Sequence, residues 1–117
     1  MDVHDLALTI HAAEYASPTQ KHRTVQRVHA SDTMSELIAH ASFETLLVTS
    51  LNNCQLVRVA ELMDVPGICL TANAVPSPDL IDRAAEAGTT ILVSPLSLID
   101  TFSALHRALG LSQGACT

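Results

Sequence analysis

The sequence is poor in glycine: only four glycines occur in 117 residues, and none of them precedes Gly67. Loops that cradle phosphate need glycine, because only a residue without a side chain lets the backbone come close to phosphate oxygens. The patterns G-x-x-x-x-G-K-[ST] and G-x-G-x-x-G are both absent. We therefore do not expect an ATP-driven kinase or a classical dinucleotide-dependent enzyme.

Aromatic and basic residues are also scarce. The chain has three aromatic residues, and six lysines and arginines face twelve aspartates and glutamates, which gives a net charge of −6. Nucleic-acid binding needs clustered cations and aromatic stacking platforms, so we expect no nucleic-acid partner. The single basic cluster is Lys21, Arg23 and Arg27 around His22. We interpret it as a solvated loop, with a small anion-contact patch as the alternative.

Paired cysteines and long apolar runs are missing. Cys54, Cys69 and Cys116 are widely spaced and form no C-x-x-C motif, which favours a reducing compartment and indicates no zinc site. No stretch approaches the ~18 apolar residues of a membrane span. The N-terminus, with Asp2 and Asp5, lacks the pattern of a signal peptide. We expect a cytoplasmic protein with no membrane partner.

No catalytic constellation stands out. The six histidines include no pair at i, i+4, and there is no G-x-S-x-G motif. We expect no metal, no cofactor and no catalytic residue, with each histidine on the surface or packed. An enzymatic alternative uses Cys54 near a helix N-terminus, or the Ser31–Asp32 pair, in thiol or phosphoryl chemistry. A packed, inert Cys54 is the favoured interpretation.

What the sequence does contain is one unit repeated three times. Apolar runs end in Thr49, Thr71 and Ser94, spaced 22 and 23 residues apart, and an amphipathic segment follows each run. A unit of this size is a strand followed by a helix, and successive units build a parallel sheet covered by helices. The pattern predicts a three-layer α/β/α fold, with a mostly parallel sheet of about five strands flanked by helices.

The first third of the chain adds further elements to this sheet. Apolar spacing predicts a short helix over residues 3–12, and Tyr15 is placed in a short edge strand. A turn is predicted at residues 17–20 and a strand over residues 24–30. We expect residues 1–117 to form a single domain with a frayed tail at 111–117.

Helix boundaries follow from capping residues. Ser31, or a capping box of Thr33 with Glu36, is expected to start the helix after the first parallel strand. Later helices are expected to begin at Ser77 and Ser97 and to end at two glycines, Gly88 and Gly110. The helix that follows Asn52–Asn53 is expected to turn four apolar residues inward: Leu56, Val59, Ala60 and Met63.

Polar side chains gather where the predicted strands end. In open α/β sheets, ligands bind beyond the carboxyl ends of the strands, where helix N-termini also present donors. The candidate ligand-binding residues there are Ser31, Asp32, Thr49, Asn52, Asn53, Thr71, Asn73 and Ser94, with His29 and Ser50 beside them. A small polar or anionic ligand is one interpretation. The alternative is that these groups only cap helices and shape turns.

Two segments resemble stand-alone DRTGG domain proteins: residues 28–37 (VHASDTMSEL) and residues 47–65 (LVTSLNNCQLVRVAELMDV). The resemblance extends over about residues 3–110. The Asp-Arg pair that names the family falls near Leu51–Asn52, and its Thr-Gly-Gly falls at Thr71–Asn73, where only Thr71 matches. The chain is thus similar to a divergent branch that lacks both glycines.

The resemblance implies a three-layer α/β/α domain similar to the N-terminal domain of HPr kinase/phosphorylase. It further implies a non-catalytic regulatory or assembly module that forms a homodimer and contacts a metabolic or redox enzyme, for example of the hydrogenase type. The alternative function is a small-molecule sensor that binds a nucleotide or anion at the carboxyl ends of the strands.

Overall fold

The structure is a computed structural model that describes residues 3–16 and 24–110. Within these ranges it contains five helices and five strands. In chain order they are α1 (Val3–Thr9), β1 (Ala13–Ala16), β2 (Arg27–Ala30), α2 (Met34–His40), β3 (Thr45–Thr49), α3 (Gln55–Met63), β4 (Gly67–Leu70), α4 (Pro78–Ala87), β5 (Thr90–Val93) and α5 (Leu98–Ala108). The predicted turn at 17–20, the basic residues at 21–23 and the tail at 111–117 lie outside the described residues.

The five strands form one sheet in the order β1-β5-β4-β3-β2. Strands β2 to β5 pair in parallel, and β1 joins β5 antiparallel at one edge. The predicted edge strand at Tyr15 is therefore present as β1. Each parallel connection carries a helix, as a crossover between parallel strands requires.

Helices cover both faces of the sheet. One core lies between the sheet and α2, α3 and α4. The other lies between the opposite face and α1 and α5. Along β3, Leu46 and Val48 enter the second core, whereas Leu47 enters the first. A strand buried on both faces needs no polar alternation, which explains the unbroken apolar runs and confirms the three-layer prediction.

Two predicted elements are shorter than expected. The helix predicted over residues 3–12 ends at Thr9, because His11 takes a left-handed backbone conformation with φ of 59° and turns the chain into β1. The strand predicted over residues 24–30 is continuous from Arg27 to Ala30, with an isolated bridge at Thr24.

Most predicted helix ends are present. The Ser77 and Ser97 hydroxyls accept hydrogen bonds from the backbone N–H of Leu80 and Asp100, each at 3.2 Å. Gly88 ends α4 with φ of 75°.

The capping box predicted at α2 is wrong. The N-cap of α2 is Thr33, and its side chain makes no capping hydrogen bond. Its hydroxyl lies 3.1 Å from the Ser31 hydroxyl, which also accepts from the Thr33 N–H at 3.1 Å. These bonds close a turn before the helix, and Glu36 lies near His40 instead.

The buried face of α3 also differs from the prediction. Leu56, Val57 and Ala60 are buried, Val59 is partly buried, and Met63 is 41% exposed. The face is rotated toward Val57 relative to the predicted stripe. In the part of the chain that the structure describes, no helix has the length and apolar character needed to cross a membrane.

Candidate functional site

The carboxyl ends of β2 to β5 meet at one edge of the sheet, and the loops that follow them are joined by backbone hydrogen bonds. The Ser31 N–H donates to the Val48 carbonyl at 3.0 Å. The Ala72 N–H donates to the Leu96 carbonyl at 2.7 Å. We call this region, which contains the eight predicted ligand-binding residues, the carboxyl edge.

Asp32 links two loops of the carboxyl edge. Its Oδ1 accepts from the Ser50 N–H at 2.8 Å and from the Ser50 hydroxyl at 2.6 Å, with a longer contact of 3.4 Å from the Thr49 hydroxyl. The bonds from Ser50 hold the pKa of Asp32 below its usual value, although partial burial opposes them. Asp32 is therefore an anion whose bonding partners lie in the next loop, and this carboxylate disfavours an anionic ligand beside it.

Asn52 joins its own loop to the loop before α4. Its side-chain N–H donates to the Val75 carbonyl at 2.6 Å, and its side-chain oxygen accepts from the Ser77 N–H at 3.1 Å. Asn53 is exposed and bonds within its own segment: its side-chain oxygen accepts from the Gln55 N–H at 2.9 Å. Both amides serve the fold in the way that the turn-and-cap alternative describes.

Ser94 and Thr49 have similar structural roles. The Thr101 hydroxyl donates to the buried Ser94 hydroxyl at 2.8 Å, which ties the end of β5 to α5. The Ser94 hydroxyl also accepts from the Leu96 N–H at 3.1 Å. Thr49 is buried, and its hydroxyl accepts from the Leu51 N–H at 3.1 Å. These hydroxyls hold the first residues of the loops that follow β3 and β5, and they do not face solvent.

Thr71 and Asn73 complete the predicted set. Thr71 is buried, whereas Asn73 is exposed. Ala72 and Asn73 both take left-handed backbone conformations, with φ of 56° and 55°. Glycine adopts this conformation more readily than any residue with a side chain. The loop therefore has the backbone shape suited to Thr-Gly-Gly, although neither glycine is present.

The cysteines occupy different environments. Cys69 is buried in β4, and burial raises the pKa of its thiol to about 12. Cys54 is half-buried at the N-cap of α3 and lines a cavity of about 220 Å³ between α3 and α4. The same cavity is lined by four charged side chains, Arg58, Glu61, Arg83 and Glu86.

A second cluster of ligand-type side chains lies beside the edge strand β2. His29, Glu36 and His40 each offer one ligand atom, and these atoms lie within 4.8 Å of one another. The rings of His29 and His40 are stacked, with centroids 4.0 Å apart. The cluster is missing from the sequence expectations, although Glu36 and His40 have the four-residue spacing that places two side chains on one helix face.

Comparison with known proteins shows a likeness in fold. No model of a known protein family matches the chain, and no curated protein matches it. The chain is similar to the CBS and DRTGG domains of the regulatory region of Clostridium perfringens pyrophosphatase, in a crystal structure complexed with the activator diadenosine tetraphosphate. The TM-score is 0.70 at 13% sequence identity, and the match covers 88% of this chain and 45% of that chain.

This likeness shows the fold. The chain has an α/β fold similar to that of this region, and it spans less than half the length of the pyrophosphatase chain that it matches.

Proposed function

We propose that the chain is a non-catalytic regulatory or assembly module that homodimerises and contacts a metabolic or redox enzyme. The observation that carries this proposal is that polar side chains of the carboxyl edge are hydrogen-bonded to other parts of the same chain. Asp32, Asn52, Asn53 and Ser94 are hydrogen-bonded to neighbouring loops or helices of the same chain. Side chains bonded in this way brace a scaffold and leave few groups for moving protons or binding a substrate.

Apolar side chains at the same edge support a protein partner. Val75 follows β4, Leu96 follows β5 and Ile99 lies in the first turn of α5. Val75 and Ile99 are 77% and 76% exposed, and Leu96 is exposed as well. Their loops are bonded to each other through Ala72 and Leu96. We call Val75, Leu96 and Ile99 the apolar rim. Covering apolar surface is favourable because it removes that surface from water.

The fold likeness supports a regulatory role. The matching domains belong to the regulatory region of the pyrophosphatase. In this proposal, the module acts by contact with another protein. Two copies of it form a symmetric dimer, which is the commonest form of soluble oligomer.

Light scattering coupled to size-exclusion chromatography tests the homodimer. The wild-type protein is expected to have the mass of a dimer, and the double variant Val75→Asp/Ile99→Asp that of a monomer. The matched control is Leu62→Asp, because Leu62 is 78% exposed on α3 and lies outside the apolar rim. A monomeric wild type at micromolar concentration contradicts the homodimer. A dimer that survives the double substitution contradicts the apolar rim as the dimer interface. Capture of the partner enzyme from lysate should be lost with the same double variant and retained with Leu62→Asp.

The alternative function is a sensor for a nucleotide or anion at the carboxyl edge. The activator bound to the related pyrophosphatase region favours it, and the exposed Asn73 beside Thr71 is the part of the edge best placed for contact. A ligand present at 100 times its Kd stabilises the native state by about 2.7 kcal/mol. Thermal unfolding with diadenosine tetraphosphate, ATP, AMP and phosphate tests this function. A rise in Tm that disappears in Asn73→Ala supports the sensor, and unchanged melting with all four ligands rejects it.

A further inference from the structure

We propose that His29, Glu36 and His40 form a binding site for one divalent transition-metal ion of the zinc class. The site lies between β2 and α2, away from the apolar rim, so it is independent of the proposed function.

The fold brings these three residues together from two elements. Val28 and Ala30 pack into the core on the α1 and α5 side of β2. Because neighbouring side chains of a strand alternate between faces, His29 points to the other face, where α2 lies. Glu36 and His40 are one helical turn apart on α2. The strand and the helix therefore present their nitrogen and oxygen ligands to one another.

The distances suit a single ion once the His40 ring turns out of its stack with His29, because the in-plane lone pairs of two stacked rings do not converge on one point. Zinc binds imidazole nitrogen and carboxylate oxygen at about 2.0–2.2 Å, so ligands of one tetrahedral ion lie roughly 3.3 Å apart. The His40 Nε2 and Glu36 Oε2 atoms are 3.7 Å apart, and all three ligand atoms fall within 4.8 Å. The side chains of Glu36 and His40 are 58% and 54% exposed, so rotation about their own bonds is free to close the gap.

An independent observation concerns His29. Its Nε2 is buried and has no hydrogen-bond partner among the described residues. A buried polar atom without a partner carries a desolvation cost. Coordination of a metal ion by the lone pair of this nitrogen removes that cost.

The surroundings indicate the coordination number. A cavity of about 330 Å³ beside the cluster is lined by His29, His40, Arg27, Ser42 and Thr45. Its volume leaves room for water or an external ligand in the fourth position. Two histidines and one carboxylate with an open position are a known zinc donor set. The mixed nitrogen and oxygen ligands favour zinc, cobalt or nickel over magnesium or calcium, which prefer oxygen alone.

Isothermal titration of Zn²⁺ into untagged, metal-stripped protein tests the site. We expect one ion per chain in the wild type. His40→Ala and Glu36→Gln alter exposed side chains, and we expect His40→Ala to weaken binding by at least about tenfold and Glu36→Gln by several-fold. His29→Ala is expected to weaken binding at least as much as His40→Ala. Should this variant fail to fold by circular dichroism, the two exposed variants still decide the result.

The matched control is His4→Ala. His4 Nδ1 lies 2.5 Å from Glu14 Oε1 at the opposite edge of the sheet, so the chain offers a second histidine–carboxylate pair. We expect this variant to bind Zn²⁺ with the wild-type affinity. Imidazole resonances of His29 and His40 should shift on Zn²⁺ addition, and those of His4 should not. Absence of stoichiometric binding at micromolar Zn²⁺, unchanged affinity in His40→Ala, or an equal loss in His4→Ala overturns the proposal.

Discussion

Replacing Ala72 by glycine is expected to stabilise the protein, although the substitution removes a methyl group and introduces no new contact. Ala72 and Asn73 are consecutive residues in the left-handed region, with φ of 56° and 55°. An L residue with a side chain pays about 1–2 kcal/mol in this region, because its Cβ crowds the following carbonyl oxygen. Glycine has no such crowding, but the greater freedom of the unfolded chain costs about 0.5–1 kcal/mol. The net gain is about 0.5–1 kcal/mol.

The loop is held in this conformation by its neighbours. The Ala72 N–H donates to the Leu96 carbonyl at 2.7 Å, and the Asn73 N–H donates to the Ser94 carbonyl at 2.9 Å. Relaxation to an ordinary backbone conformation breaks these bonds, so the strain persists in the native state. The Ala72 side chain is exposed, and its removal therefore creates no cavity.

Urea unfolding and thermal melting measure the effect. A gain of about 0.5–1 kcal/mol corresponds to a rise in Tm of about 2–5 °C for a domain of this size. The control is Ala85→Gly, which makes the same chemical change at an exposed position inside α4 and should destabilise by about 1 kcal/mol. If Ala72→Gly destabilises the protein as Ala85→Gly does, the left-handed loop conformation is refuted, together with its correspondence to Thr-Gly-Gly.

Three further predictions concern ionisation, thiol reactivity and capping. Because hydrogen bonds lower the pKa of Asp32 in the folded state, its ionised form stabilises the fold above its unfolded pKa of about 3.9. That contribution is lost as the pH falls through the folded pKa, so urea unfolding should show the stability difference between wild type and Asp32→Asn shrinking toward pH 2. With a thiol reagent at pH 8 and mass-spectrometric mapping, the partly exposed Cys54 should react in the native protein. The Cys69 thiol, whose pKa burial raises to about 12, should react only after unfolding. Ser77→Ala should destabilise by about 1 kcal/mol in urea, because α4 loses its cap, and Thr33→Ala should cost less than half as much, because Thr33 makes no capping bond.

The fold was predictable because each signal was local. The apolar runs that end in Thr49, Thr71 and Ser94 are strands buried on both faces, so four or five consecutive positions carry the same chemical requirement. Ser77 and Ser97 were recognisable as caps for the same reason, since each bonds a residue three positions later. The buried face of α3 depends on how the helix is rotated about its axis against its neighbours. The spacing of apolar residues within α3 does not determine this rotation.

The location of the carboxyl edge was predictable, but the state of its side chains was not. Asp32 bonds Ser50 across 18 positions, and Asn52 bonds the carbonyl of Val75 across 23. Such hydrogen bonds depend on how two loops are placed next to each other in the folded protein, and no local sequence pattern specifies that placement. The cluster of His29, Glu36 and His40 was not predictable for the same reason. Glu36 and His40 share a helix face, but His29 joins them only because α2 folds back onto β2.

Hydrogen–deuterium exchange at low and high protein concentration tests the central claim most directly, because it locates the surface that pairs. If the carboxyl edge is a protein-binding surface, the backbone amides of residues 74 and 75 and of residues 96–99 should become more protected as concentration rises. Amides near Leu62 at the end of α3 should stay unchanged. Protection that appears around Leu62 instead, or none in either region at concentrations where the protein is dimeric, contradicts the account.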